Sequence, residues 1–130
     1  MELHVGLRGE ARVKVDESNT AVRFGSGSVL VFATPAMIGL MEKAALTSVD
    51  PLLGEGMATV GVELNIKHLA ATPMGMDVAA VSELIEIDGK RLVFRVEAFD
   101  AREKIGEGVH HRYIISLAKF MDRVQAKSCF

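Results

Sequence analysis

Cysteine is nearly absent from this 130-residue chain, and its scarcity is the first constraint on the class of protein. One cysteine, Cys129, cannot build a disulfide framework, so we expect a protein of the reducing cytoplasm. Long apolar runs are also lacking, and the first residues carry no apolar signal core, so we expect no membrane span and no membrane partner. Basic residues number 15 against 17 acidic ones, without a dense basic cluster, which argues against a nucleic-acid partner.

The hydrophobic residues that are present, 49% of the chain, suffice for one core, and we expect residues 1–130 to form a single domain. The segment from Phe32 to Val49 predicts a long buried helix, because it is apolar on almost every side. Thr34 is predicted as its N-cap, and Pro35 as its first helical residue. Glu42 falls at the border of the buried face, where a charge is costly unless it is paired.

Alternating apolar and polar residues predict five strands, at about 10–15, 57–70, 77–87, 92–98 and 105–117. The turns between the last four are short, and Asp88-Gly89 is a typical hairpin turn. One strand, one helix and four hairpin-linked strands predict an α+β fold, in which an antiparallel sheet of about five strands wraps around one central helix. Such a sheet leaves free edges, so a second copy is a reasonable partner.

Three histidines of the predicted strands bear on function. His68 is the polar member of an otherwise apolar face, shared with Val60, Val62, Leu64 and Ile66, that should pack against the helix. It could pair with Glu42 in the same subunit or across a dimer. His110 and His111 point to opposite faces of their strand, which argues against a shared metal ion, and we expect no metal site.

The remaining segments carry weaker signals. The stretch Gly25-Ser26-Gly27-Ser28 lacks the lysine of a phosphate-binding loop, so we interpret it as a plain loop or as a mobile lid over a pocket. A short terminal helix is predicted at about 119–127. Cys129 has no visible partner base and is not expected to be a nucleophile.

The local sequence resembles the hot-dog fold thioesterase superfamily, in the branch of the fluoroacetyl-CoA thioesterases. The likeness runs from about Val31 to Phe120, through the motifs Phe32-Ala33-Thr34, Gly39-Leu40-Met41-Glu42, Val60-Gly61-Val62, His68, Ala71-Thr72-Pro73 and His111-Arg112. The resemblance implies a hot-dog homodimer, or a higher oligomer, that hydrolyses acyl-CoA thioesters at the dimer interface. Aromatic lid residues of the fluoroacetyl-specific enzyme are replaced here by Gly25–Ser28, so the resemblance implies the reaction class and not a fluorine-selective pocket.

The same resemblance implies catalytic roles for Thr34, Glu42 and His68, and substrate contacts for Gly61 and Arg112. Simpler interpretations stand beside these roles: a helix cap for Thr34, a helix-flank carboxylate for Glu42 and a satisfied core histidine for His68. If functional, Glu42 could be a general base or a nucleophile, and His68 could orient it, carry a proton or donate to an oxyanion.

The two predicted substrate contacts also have structural alternatives. Gly61 could mark a bulge, or its backbone could approach the thioester carbonyl. Arg112 could form a salt bridge, or its guanidinium could bind the pantetheine or phosphates of coenzyme A.

The predicted function is an acyl-CoA thioesterase acting on a short or modified acyl group, with coenzyme A as part of the substrate and no separate cofactor. A hot-dog hydratase or dehydratase acting on acyl thioesters is one alternative. A non-catalytic acyl-CoA-binding protein is the other.

Overall fold

The computed structural model describes residues 2–128. Its five strands are β1 (Arg8–Lys14), β2 (Met57–His68), β3 (Asp77–Asp88), β4 (Arg91–Phe99) and β5 (Lys104–Ser116). Its helices are α1 (Ala21–Phe24), α2 (Thr34–Val49) and α3 (Leu117–Ala126), with short 3-10 turns at Glu17–Asn19 and Asp50–Leu52. No helix within this described range is long and apolar enough to cross a membrane. Cys129 lies outside the described residues.

The strands form one antiparallel sheet in the order β1-β3-β4-β5-β2. Helix α2 packs across its inner face, mainly against β1 and β3. The predicted α+β architecture, a sheet of about five strands around one central helix, is confirmed. The order leaves β1 and β2 at the two edges, so within residues 2–128 one side of β2 has no strand beside it.

Helix α2 is 16 residues long and buries the face that the sequence predicted. Its fully or nearly buried residues are Met37, Leu40, Met41, Ala44, Ala45 and Val49. The predicted cap was wrong, however. Ala33 is the N-cap residue, Thr34 is already helical, and no side chain caps this end. A hydroxyl that would otherwise satisfy the helix terminus is thereby free for another partner.

The predicted inner face of β2 was wrong in its first half, because the strand contains a β-bulge. Gly61 pairs with Arg112 and Glu63 with His111, so Val62 is an extra residue. Gly61 shares the inner face with the buried Arg112, whereas Val60 pairs with the half-exposed Tyr113 on the outer face. Beyond the bulge the inner face is Leu64, Ile66 and His68, as predicted.

The segment between β1 and α2 contains a short helix that the sequence did not predict. The Thr20 hydroxyl accepts a hydrogen bond from the Arg23 backbone N–H at the start of α1. Gly25 ends α1 with a φ of 68°, a left-handed conformation that costs glycine little. Bridges from Thr20 to Phe32 and from Val31 to Pro73 hold the segment beside the start of α2.

Candidate active site

Thr34 and His68 form a direct hydrogen bond between the first turn of α2 and the last residue of β2. Thr34 Oγ1 lies 2.7 Å from His68 Nδ1. The predicted involvement of His68 with the helix is therefore observed, but its partner is the threonine rather than Glu42. Because Ala33 is the N-cap and Thr34 is already helical, the Thr34 hydroxyl does not cap the helix and can contact His68. The sequence had predicted that α2 starts one residue later.

The Thr34–His68 pair opens onto a cavity of about 390 Å³, which we call the His68 cavity. Its lining is mostly small and apolar: Ala21, Ser26, Val31, Phe32, Thr34, His68, Leu69, Ala70 and Ala71. His68 Nε2 is buried and has no hydrogen-bond partner within the described chain. Such an atom is costly unless something outside the chain binds it. Burial lowers the pKa of His68, and the nearby backbone of Ala70 opposes that effect only in part, so the imidazole favours its neutral form.

Glu42, in the middle of α2, packs against the inner face of β2 beside Gly61 and Arg112. Its Oε2 is 3.9 Å from Arg112 Nη1, and its side chain is 35% exposed in the isolated chain. A Cβ on Gly61 would come within 2.7 Å of Glu42 Oε2 and 3.4 Å of Arg112 Nη1. Because glycine has no side chain, Gly61 leaves room for the Glu42 carboxylate at this position. We call Glu42, Gly61, His110 and Arg112 the Glu42 cluster.

Arg112 is almost completely buried, at 4% exposed, and its donors are engaged inside the protein. Nε donates to Thr59 Oγ1 at 2.8 Å, and Nη2 donates to the Thr59 carbonyl oxygen at 2.9 Å. The Thr59 hydroxyl in turn donates to Asp50 Oδ1. Burial lowers the pKa of Arg112, and the charges of Asp50 and Glu42 oppose that effect. This geometry favours a role beside Glu42 over the predicted contact with coenzyme A phosphates.

The five predicted site residues therefore fall into two groups within one chain. Thr34 and His68 form one group, and Glu42, Gly61 and Arg112 form the other. Thr34 and Glu42 are about two helical turns apart, roughly 12 Å along the axis. The predicted pair of Glu42 with His68 is not made within the chain, because Glu42 lies beside Gly61 in the middle of β2, whereas His68 is the last residue of that strand.

Sequence reasoning missed three side chains that support the Glu42 cluster: Asp50, Thr59 and His110. His110 was considered only as a metal ligand, together with His111. The available signal was its position two residues before Arg112, which puts two titratable groups on one buried face of β5. The structure places His111 on the other face, near Arg91. Across the described residues, no group of three or more histidine, cysteine, aspartate or glutamate side chains could hold a metal ion.

Comparison with known protein families identifies one match over most of the chain. Residues 15–118 match the family described as FlK, fluoroacetyl-CoA-specific thioesterase. The fluoroacetyl-CoA thioesterase of Streptantibioticus cattleyicolor is 42% identical over 98 residues, which cover 75% of this chain and 70% of the relative.

Solved structures agree with the sequence comparison. The structure of the fluoroacetyl-CoA thioesterase FlK superposes with a TM-score of 0.92 at 34% identity, covering 98% of both chains. A hot-dog-like protein from Thermanaerovibrio acidaminovorans superposes with a TM-score of 0.86 at 26% identity, covering 95% of this chain and 91% of its own. Variants of FlK have been solved with acetyl-CoA, and with fluoroacetate and CoA.

Proposed function

The chain belongs to the family of fluoroacetyl-CoA-specific thioesterases, and from that membership we propose that it hydrolyses a short or modified acyl-CoA thioester to the free acid and coenzyme A. The observation that carries the proposal is the 2.7 Å contact of Thr34 with His68, whose Nε2 is buried beside the His68 cavity and has no hydrogen-bond partner among the described residues. A hydroxyl joined to a neutral imidazole is the arrangement that activates a nucleophile.

The proposed site needs two copies of the chain, because Thr34–His68 and the Glu42 cluster are apart within one. Strand β2 carries both groups and lies at a sheet edge, where Val62 is 57% exposed and Leu64 is 41% exposed. Exposed apolar residues on a free edge favour pairing with another strand. Two copies of β2 that pair antiparallel bring each His68 towards the other chain's Gly61 and Glu42.

The bulge fixes the register of this proposed pairing. If Gly61 lies opposite the partner's His68, and Val62 is the extra residue, Glu63 lies opposite the partner's Lys67. Leu64 then lies opposite the partner's Ile66, and Asn65 lies opposite its own copy. Opposite charges meet on the outer face and apolar side chains on the inner face, and both kinds of cross-strand pair stabilise a sheet.

In this dimer His68 accepts the Thr34 proton at Nδ1, and its Nε2–H donates to the carboxylate of the partner's Glu42. Thr34 Oγ1 bonds to the thioester carbonyl carbon while the partner's Gly61 backbone N–H donates to the developing oxyanion. The C–S bond breaks, and His68 returns the proton to the coenzyme A thiolate. Water, deprotonated by His68, then hydrolyses the Thr34 ester. The alternative route has Glu42 activate water directly, with Thr34 only orienting His68.

Thiol release from a panel of acyl-CoAs, including acetyl- and fluoroacetyl-CoA, tests the function. We expect a clear rate on at least one substrate, falling at least ~100-fold in Glu42→Ala and His68→Ala. Glu86→Ala and His4→Ala, both exposed and outside the site, are matched controls. Mass spectrometry of the single-turnover intermediate separates the routes, because only the Thr34 route leaves an acyl group on the chain. If no thioester releases its thiol, hydration of an enoyl-CoA would favour a hydratase. Binding of an acyl-CoA without any reaction would favour a non-catalytic binding protein.

A disulfide tests the dimer and its register. Asn65→Cys, made with Cys129→Ser, should cross-link on mild oxidation, because directly opposed Cβ atoms lie about 4.5–5.5 Å apart. Lys67→Cys is the matched control, because residue 67 lies opposite residue 63 of the partner in this register. The two introduced cysteines would therefore be too far apart to form a disulfide. Cross-linking by Lys67→Cys and not by Asn65→Cys would contradict this register. Residues 1–130 as one domain and a cytoplasmic location complete the proposal, the latter supported by the single cysteine.

A further inference from the structure

His110 is the fully buried side chain at the centre of the Glu42 cluster, at 0% exposed. Its ring stacks on the buried Phe94, with centroids 6.3 Å apart and an angle of 30° between the planes. Its Cε1 would be 3.1 Å from a Cβ placed on Gly61. The imidazole is therefore fixed in orientation, in contact distance of the backbone that the proposed mechanism uses.

Each ring nitrogen of His110 has one partner, and the partners differ in kind. Nδ1 lies 2.9 Å from the Glu63 carbonyl oxygen, which can only accept. Nε2 lies 3.1 Å from Arg112 Nη1, which can only donate. Both hydrogen bonds form together only when the imidazole is neutral and carries its proton on Nδ1. The two bonds join the Glu63 carbonyl, just after the bulge, to the guanidinium that lies beside Glu42.

The rest of the guanidinium is anchored on the side away from His110. Thr59 accepts from Nε and Nη2, and Asp50 holds the Thr59 hydroxyl. Removal of the His110 acceptor would leave Nη1 with Glu42 alone, at 3.9 Å. The carboxylate would then be drawn towards Arg112, and the carbonyl at the bulge would lose its donor.

We propose that neutral His110 is a positioning residue of the thioesterase: it joins the β2 bulge to Arg112, and thereby holds the Gly61 backbone and the Glu42 carboxylate in register with each other. This inference rests on the proposed function for its kinetic consequence. Its structural content, the Nδ1–H tautomer bridging Glu63 and Arg112, is independent of any activity.

Kinetics of three variants test the proposal. His110→Ala should lower kcat by roughly tenfold to a hundredfold, the cost of a displaced catalytic group, with KM changed by less than about twofold. His110→Gln should recover part of the loss, because its side-chain oxygen can accept from Arg112. His111→Gln, one residue away on the outer face, is the matched control and should keep kcat within about twofold of the unaltered chain. A folded His110→Ala protein with unchanged kcat, or a glutamine variant no better than alanine, would overturn the proposal.

Nitrogen-15 NMR of the imidazole rings in the unaltered protein gives a test that needs no variant to fold. We expect the His110 signal to be that of the neutral Nδ1–H tautomer at neutral pH. A charged ring or an Nε2–H tautomer would overturn the bridge. A protein that shows the expected tautomer but releases no thiol would refute the proposed function and leave the bridge intact, so the two failures are distinguishable.

Discussion

Thr34 illustrates how one hydroxyl can be assigned two incompatible duties from sequence. As an N-cap it would accept from a backbone N–H of the first turn, and its removal would cost about 1 kcal/mol. In the structure the cap residue is Ala33, without a side-chain bond, and the Thr34 hydroxyl meets His68 Nδ1. The residue is therefore expected to matter for the reaction more than for the fold.

Thr34→Ala is predicted to lower thioesterase activity by at least ~100-fold while lowering the free energy of unfolding by only about 1 kcal/mol or less. No cap is lost and alanine is a better helix former than threonine, so the stability change comes from the lost hydrogen bond to His68. Urea unfolding and thiol release on the same preparations measure both quantities, and Thr34→Ser, which keeps the hydroxyl, is the control. A folded Thr34→Ala protein that releases thiol at the unaltered rate would leave Thr34 with a structural role only.

The buried histidines His68 and His110 should make the free energy of unfolding decrease at low pH. Burial is the largest cause lowering the pKa of His68 and of His110; Arg112 and His111 lower the latter further, against a hydrogen bond to the Glu63 carbonyl and the charge of Glu42. The unfolded chain then binds more protons than the folded chain below the ordinary histidine pKa of about 6.5. The free energy of unfolding should be constant above about pH 7 and should fall as pH decreases towards about pH 5.

Urea unfolding across that pH range, at one protein concentration, measures this dependence. His110→Gln should make the slope shallower, because one of the two titrating groups is removed. His4→Gln should leave the slope unchanged, because His4 is exposed. A slope that is the same in all three proteins would contradict the assignment to buried histidines.

At the scale of the element, the bulge in β2 is the feature that most affects the site. The extra residue Val62 turns Gly61 to the inner face beside Arg112 and still leaves His68 on that face. Without it, a strict alternation of side chains would put Gly61 and His68 on opposite faces. One irregular residue thus lets a single strand present both of its functional positions to the helix side.

Gly61→Ala tests the close packing at this bulge. The new Cβ would overlap Glu42 Oε2, at 2.7 Å, so the carboxylate must move, whereas the backbone has no positive φ to forbid alanine. We expect kcat to fall by about tenfold or more with a small change in stability, since the displaced atom ends a flexible side chain. Gly54→Ala, where the nearest atom is 3.9 Å from the Cβ, is the matched control for thiol release and unfolding. Equal kinetics in the two variants would contradict the arrangement.

The sequence predicted which main helix and strands form. It did not predict the exact first residue of the helix or the bulge that shifts the alternation of side chains in β2. The central helix, the five strands and the Asp88-Gly89 hairpin follow from periodicity and turn chemistry, which are local properties. The bulge at Val62 and the first helical residue Thr34 do not, because each depends on contacts with residues distant in the chain. The same holds for His110, whose importance comes from a carbonyl and a guanidinium that only the folded sheet brings to its two nitrogens.

The whole molecule poses the remaining question, which is why the two halves of the proposed site are apart in one chain. In the proposed dimer, pairing of the β2 edges would join Thr34–His68 of each subunit to the Glu42 cluster of the other, which would give two sites, each made of both chains. Dimer stability and thioesterase activity should then both depend on the β2 edge. Mixed dimers of two different variants can test whether Thr34–His68 and the Glu42 cluster of one site come from different chains.

Co-expression of Glu42→Ala chains with His68→Ala chains is predicted to restore activity that neither variant has alone. A mixed dimer has one site with both substitutions and one site with neither, so random assortment should give about a quarter of the unaltered activity. Glu42→Ala with Thr34→Ala should behave in the same way.

Thr34→Ala with His68→Ala is the discriminating control. These two residues belong to the same half, so each site of their mixed dimer keeps one substitution and no activity should return. Thiol release is measured on purified, differently tagged mixed dimers, where the first two pairs should reach about half of the unaltered activity because one site of two is intact. Restoration by the control pair, or its absence from the first two pairs in dimers that have formed, would show that the halves do not combine across the subunits.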